Sequence, residues 1–254
     1  NRLRTVINSL ISDSQSAFIS GRYILDGPLI INEILSWSRV MGKSLFLFKI
    51  DFEKAYDNVH WGFLLDMLRH LGFPIRWCLW VEGILMSARS SVLVNGALTF
   101  EFDCKKGIRQ GDPLSPLLFI LAMEALHIAT DCAVGEGIFK GMSTPGEGPT
   151  VSHLLYADDV LFVGEWSESN FYNLARLLRC FHLSSGLKVN FVKSKVFGVG
   201  VRNEDILNMA SILGCERGSL PFTYLGLPVG SNMGLVKNWK PVIDRFESKL
   251  SLWK

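Results

Sequence analysis

The run Leu154-Leu155-Tyr156-Ala157-Asp158-Asp159-Val160-Leu161-Phe162-Val163 restricts the fold more than any other stretch of the chain. Two adjacent carboxylates sit between two apolar runs, each of strand length and rich in the aromatic and β-branched residues that strands favour. The pattern predicts strand, acidic tip, strand. Taken alone, an Asp pair there has two readings. It can be a solvated hairpin turn, because Asp is depleted in strands and common in turns. It can also be a metal site, because carboxylates at the end of a rigid hairpin bind hard divalent cations through oxygen. The choice turns on whether the chain supplies a third acid.

Leu45, Phe46, Leu47, Phe48, Lys49 and Ile50 form a nearly continuous apolar run, as in a strand buried on both faces, and it delivers Asp51 at its carboxyl end. Asp57 or Asn58 then reads as the cap of a helix with Phe63, Leu64, Met67, Leu68 and Leu71 at three- and four-residue spacing, stopping at Gly72. With Asp57 assigned to capping, Asp51 is the acid left for a site.

The remaining segments read mainly as scaffold. The chain is helix-like from Asn1 to Ile11, polar from Ser12 to Ser16, and loop from Gln15 to Arg22. A core-facing helix follows Pro28 and stops at Gly42, and a shorter one runs from Pro74 to about Met86. Asn95-Gly96 between alternating residues predicts a hairpin. The polar loop from Gly107 to Pro116 feeds an apolar helix ending near Ala129, and its start beside Arg109 is a ready anion site. Gly135 to Pro149 reads as an exposed connection. An amphipathic helix with Phe171, Leu174, Leu178 and Phe181 ends at Gly186; Leu187, Val189 and Phe191 then alternate as a strand before Lys193, Ser194 and Lys195. Phe222 to Gly230 suggests a small hairpin or bent strand, and another helix starts near Asn238.

With 48% hydrophobic and 20% charged residues in 254, the chain is globular and long enough to bury a core. A net charge of +2 neither demands nor excludes a nucleic-acid partner, although basic residues cluster at Lys105, Lys106 and Arg109, at Lys188, Lys193 and Lys195, and from Lys237 to Lys254. Five cysteines without metal-like spacing favour a reduced, intracellular setting. The richest apolar run, Leu114 to Leu126, is short and contains Glu124, so no membrane span is expected. The first residue is Asn, and the chain is expected to be a piece of something longer.

In order, these pieces resemble the successive motifs of reverse transcriptases of the non-LTR, LINE-type retrotransposon family, most closely those of plants. The matching stretches are FKIDFEKAYDNVHW from Phe48, KKGIRQGDPLSPLLF from Lys105, LLYADDVLF from Leu154, SGLKVNFVKSK from Ser185 and FTYLGLPVG from Phe222, with QSAFISGR from Gln15 ahead of them. The resemblance implies an α+β fold, a right-hand polymerase palm with an antiparallel sheet backed by helices. Residues 1–42 would be a remnant of fingers and 43–230 the palm, with a finger-side insertion at about 73–106 and a primer-grip hairpin at 219–230. Residues 231–254 would start a thumb.

It further implies an RNA-directed DNA polymerase that takes an RNA template, a DNA primer and dNTPs, in the nucleus or cytoplasm. Two Mg²⁺ ions, with Mn²⁺ as a possible substitute, would lie roughly 3.5–4 Å apart to stabilise the attacking and leaving oxygens of an in-line displacement. By resemblance Asp51 and Asp158 bridge the ions, the Phe52 carbonyl is a further ligand and Asp159 supports the cluster. Tyr56 would exclude a ribose 2′-hydroxyl. Gln110 and Gly111 would lie against the nucleotide and template, with Arg109 as a phosphate or template contact. Lys193 would protonate departing pyrophosphate, and Tyr224, Leu225 and Gly226 would grip the primer. The competing reading is a truncated, inactive retroelement remnant that at most binds nucleic acid. Another two-metal phosphotransferase or a group II intron maturase fits DFEKAYD and FTYLGLP less well.

Overall fold

The computed structural model describes residues 2–143 and 148–251. Its centre is a five-stranded sheet built from β1 (Leu45–Ile50), β2 (His153–Tyr156), β3 (Asp159–Glu165), β4 (Lys195–Val199) and β5 (Glu216–Arg217), in the order β5-β4-β1-β3-β2. All neighbours are antiparallel except β4 and β5, which run parallel.

The apolar run of β1 is buried on both faces, and its alternation divides the core. Phe46, Phe48 and Ile50 pack with Val160 and Phe162 of β3 under the helices Trp61–His70, Ser115–Gly135 and Glu168–Ser185. Leu45 and Leu47 face the other way with Leu161, Val163 and Phe197, beneath the helix Asp26–Met41 and a hairpin of Phe222–Tyr224 with Leu227–Val229. A one-residue slip would exchange the two faces, turning Lys49 into the helix-covered core and mispacking both layers, so the register is strongly specified.

Most helices lie where periodicity predicts them, and Gly42 and Gly186 close two of them in left-handed conformations. The helix Ser115–Gly135 runs beyond the expected end at Ala129. It is long and apolar enough by itself to cross a membrane, but Leu117 to Met123 are buried in the core.

Three expectations are corrected. Asp57 caps no helix: the helix Trp61–His70 has His60 at its cap, and Asp57 lies inside a separate one-turn helix, Ala55–Asn58. Leu187 to Phe191 is not a strand of the sheet; Val189 makes an isolated bridge to Phe52, and the strand begins later, at Lys195. The segment from Gly135 is no exposed connection throughout, because Phe139 and Met142 are buried and Met142–Ser143 pairs with Thr150–Val151. Its residues 144–147 lie outside the described residues.

A buried polar network joins the long helix to the sheet. His153 Nε2 lies 3.0 Å from His127 Nδ1, and its Nδ1 lies 2.8 Å from the Ser152 hydroxyl. Burial, reinforced by the His127 charge, lowers His153 to about 3. An imidazole that stays neutral when folded but takes a proton near pH 6.5 when unfolded makes stability fall as pH drops below 6.5, towards 3. Between pH 6 and 5 we expect wild type to lose about 1 kcal/mol more stability than His153→Gln, read from urea midpoints. Glu124, whose carboxyl burial raises, contributes with the opposite sign in both proteins and drops out of the difference. Parallel pH profiles for the two would show that His153 protonates freely in the folded state.

Candidate active site

Strand register assembles the acids. Ile50 pairs with Val160, so the next residues in register are Asp51 and Asp159. Tyr156 pairs with Asp159 across a tight turn whose central residues are Ala157 and Asp158, placing Asp158 at the exposed tip. Partial desolvation raises the Asp158 carboxyl above the ordinary range, and the charges of Asp159 and Asp51 push it further. Asp159 is instead ion-paired, with Lys49 Nζ at 3.7 Å.

Asp51 is held through its backbone. Its N–H donates to the Ser194 hydroxyl at 3.1 Å and its carbonyl accepts from Asn190 N–H at 2.7 Å, while Ser194 donates to the Asn190 carbonyl at 2.7 Å. Glu53 N–H donates to Lys188 carbonyl at 2.9 Å on the far side of Phe52. The Phe52 carbonyl receives no hydrogen bond among the described residues.

The two faces of the acid cluster differ. On one, Tyr56 stacks on Phe119 with ring centroids 4.5 Å apart, and its phenol is raised by burial first and by the Asp158 charge second. The loop carrying Arg109, Gln110 and Gly111 is docked beside it: Ile108 N–H donates to Tyr56 carbonyl at 2.8 Å, Gly107 N–H to Val59 carbonyl at 2.8 Å, and the Trp61 indole to Gly107 carbonyl at 2.6 Å. Gln110 Nε2 approaches Asp57 Oδ1 at 3.5 Å. On the other face, Lys49, Lys193, Lys195 and Thr223 line a cavity of about 300 Å³ that also exposes Asp51 and Asp159.

Residues 1–229 match the family "Reverse transcriptase (RNA-dependent DNA polymerase)". The chain belongs to the reverse transcriptase family. Its relatives include proteins of non-LTR elements. The "Transposon TX1 uncharacterized 149 kDa protein" of Xenopus laevis is 29% identical over 209 residues, which is 81% of this chain and 15% of that protein. The Pol polyprotein from type-2 retrotransposable element R2DM of Drosophila melanogaster is 26% identical over 204 residues, covering 80% of this chain and 18% of that one. The chain therefore spans under a fifth of the length of these relatives. In three dimensions, telomerase from Candida albicans, solved in complex with a fragment of telomeric RNA, overlays 92% of the chain and 38% of its own with a TM-score of 0.60 at 17% identity. That likeness is one of fold, the α+β polymerase palm.

Within this reverse transcriptase fold, the sequence-predicted residues fall into distinct situations. Asp51, Asp158 and Asp159 meet at one end of the sheet, yet among the described residues no three His, Cys, Asp or Glu side chains form a ready-made metal cage. Lys193 is exposed on the same cavity as Asp51 and Asp159. Arg109, Gln110 and Gly111 are exposed. Tyr224 is buried, its ring lying under Lys49 with Nζ 5.8 Å from the centroid, so the side chain cannot reach a primer. Leu225 and Gly226, both at positive φ, form the turn of that hairpin. Lys49 joins the site without a motif of its own, and the one signal for it is that a lone lysine two residues before Asp51 in an apolar strand must share its face.

The docking of the loop gives a direct test. Gly107 has φ +85 and an added Cβ would lie 2.6 Å from the Asp57 carbonyl oxygen, whereas at Gly111, φ +89, it would meet nothing within 4 Å. Gly111→Ala should cost about 1 kcal/mol for the left-handed backbone alone, and Gly107→Ala about 1–3 kcal/mol beyond that, by urea denaturation. Equal losses would show that the loop is not packed on Asp57.

Proposed function

We propose that this chain is the polymerase core of an RNA-directed DNA polymerase, which extends a DNA primer on an RNA template from dNTPs. The observation that carries the reading is the meeting of Asp51 with Asp158 and Asp159, between the Tyr56 side and the lysine-lined cavity. In this reading residues 1–42 belong to fingers, 43–230 are palm with a finger-side insertion at about 73–106 and a primer hairpin at 219–230, and a thumb starts at about 231.

Reverse transcriptases generally use divalent metals, and the donor set here fits them. It offers carboxylate oxygens whose mutual repulsion a cation relieves, and a Phe52 carbonyl free to accept. Asp51, Asp158 and the Phe52 carbonyl would hold two Mg²⁺ ions, or Mn²⁺ in their place, with Asp159 as support. Bound there, such ions supply charge stabilisation to the attacking 3′-hydroxyl oxygen and the departing pyrophosphate.

The chain's own groups do the positioning. Tyr56, fixed on Phe119, presents a ring beside Asp158 that a ribose 2′-hydroxyl would strike, selecting deoxynucleotides. Gln110 and Gly111, on a loop tied to the Tyr56 backbone, would lie along the nucleotide and template, with Arg109 toward phosphate. On the opposite face Lys193 would donate the proton that pyrophosphate takes up. Leu225 and Gly226 would support the primer end, with buried Tyr224 as their foundation.

Primer extension on an RNA template with Mg²⁺ and dNTPs tests the assignment. Asp158→Asn should lower the rate by about 10²–10³ or more, as expected when transition-state charge loses its support; extension equal to wild type would refute the role. Tyr56→Val should reduce discrimination against ribonucleotides by roughly 10–200-fold, the scale of one steric contact, and unchanged sugar selectivity would remove Tyr56 as the gate.

A further inference from the structure

The turn that carries Asp158 is braced by a residue from the other end of the chain. Gln15 is fully buried, and its Oε1 accepts the backbone N–H groups of both Ala17 and Ala157 at 3.0 Å. Ala157 immediately precedes Asp158 and has φ +54, a left-handed conformation that is unfavourable for a residue with a Cβ. The backbone around Gln15 is laid onto β2 as well: Leu155 N–H donates to Ser14 carbonyl at 2.8 Å, and Ser16 N–H to Leu155 carbonyl at 3.0 Å.

This segment is itself anchored. Ser12 donates its N–H and its hydroxyl to the Glu124 carboxylate at 3.1 and 3.2 Å, which ties it to the long core helix. The Arg22 guanidinium donates to the carbonyls of Ile11 at 2.8 Å, of Ser12 and of Gln15. A continuous strut therefore runs from the helix Ser115–Gly135 through Ser12 and Gln15 to the backbone next to Asp158. Gln15 Nε2 has no partner among the described residues, so only the oxygen of the amide is used.

We propose that Gln15 is a positioning residue: its oxygen holds the left-handed backbone at Ala157 and so fixes the direction in which Asp158 leaves the turn. The inference rests on Asp158 being a metal-holding carboxylate. Groups that orient metal ligands, when removed, typically lower metal affinity or activity 10–100-fold. Gln15→Met keeps the volume and deletes the acceptor. Gln15→Glu keeps an acceptor oxygen at the same place, and Ala157→Gly removes the need to force a left-handed backbone.

The test titrates Mn²⁺ into the chain and follows free Mn²⁺ by electron paramagnetic resonance, alongside the kcat and KM of primer extension. Gln15→Met should weaken Mn²⁺ binding roughly 10-fold or more and lower kcat similarly, with KM for dNTP little changed. Gln15→Glu, and Ala157→Gly in the Gln15→Met background, should recover most of the Mn²⁺ affinity. Unchanged Mn²⁺ affinity in Gln15→Met overturns the proposal, as does an equal loss in the Met and Glu variants without recovery by Ala157→Gly. If Gln15→Met does not fold cooperatively, Gln15→Glu decides: a folded protein with affinity near wild type supports the role, and anything less overturns it. Asp158→Asn is the separate control, since wild-type Mn²⁺ binding in that variant would refute the reading of Asp158 rather than that of Gln15.

Discussion

The pairing of β1 with β3 is the constraint on which the rest depends. Ile50 opposite Val160 leaves Asp51 and Asp159 next in line, and both strands are buried on both faces. Side chains alternate with period two, so a slip by one residue would turn Lys49 and Asp51 into the helical core and Phe46 and Phe48 into the layer packed by Leu45 and Leu47. The placement of two carboxylates is therefore enforced by the core side chains along both strands, from Ile50 and Val160 beside them back to Phe46 and Phe162. The site inherits the stability of the core without spending its own contacts on it.

A sheet edge fixes where strands end but not how the residues beyond them point. Here that second task falls to parts outside the sheet. Ser194 and Asn190 hold the Asp51 backbone, Gly107 lets the 107–111 loop dock against the Tyr56 turn, and Gln15 holds Ala157. The hairpin Phe222–Tyr224 with Leu227–Val229 is seated on the helix Asp26–Met41, where Asn32 bonds Pro228 and Gly230 at 3.1 and 2.8 Å. Each brace is a hydrogen bond to backbone, which constrains direction while leaving the carboxylate oxygens available.

What the sequence revealed follows the range of its signals. Both strands of the acidic hairpin, β1 and the amphipathic helices were legible because burial writes a periodic pattern along consecutive residues. The position of Asp57 before an apolar run suggests a cap, but the helix begins later, and Gly107 and Gly186 instead lie close against the backbone of Asp57 and Asn58. Leu187, Val189 and Phe191 alternate like a strand because Leu187 and Val189 are buried, yet only Val189 finds a bridging partner, Phe52. Phe139 and Met142 were invisible as core because glycines surround them. Gln15 left no periodic trace at all: its partner Ala157 is far away in the chain, and a buried glutamine is recognised only by what it bonds.

The same geometry breaks the symmetry of the Asp158-Asp159 pair. Asp159 shares a face with Lys49, which lies between it and the ring of Tyr224, and its charge adds to the burial that holds that phenol neutral. The Asp158 charge acts on Tyr56, and its own carboxyl is raised by desolvation and by both neighbouring acids. One acid thus has a lysine beside it, and the other makes no ion pair among the described residues. A carboxylate already paired with a lysine gains less from an incoming cation than one repelled by its neighbours. The physical division of labour follows: Asp158 has the greater electrostatic demand for a metal, while Asp159 pairs with Lys49 of the central strand.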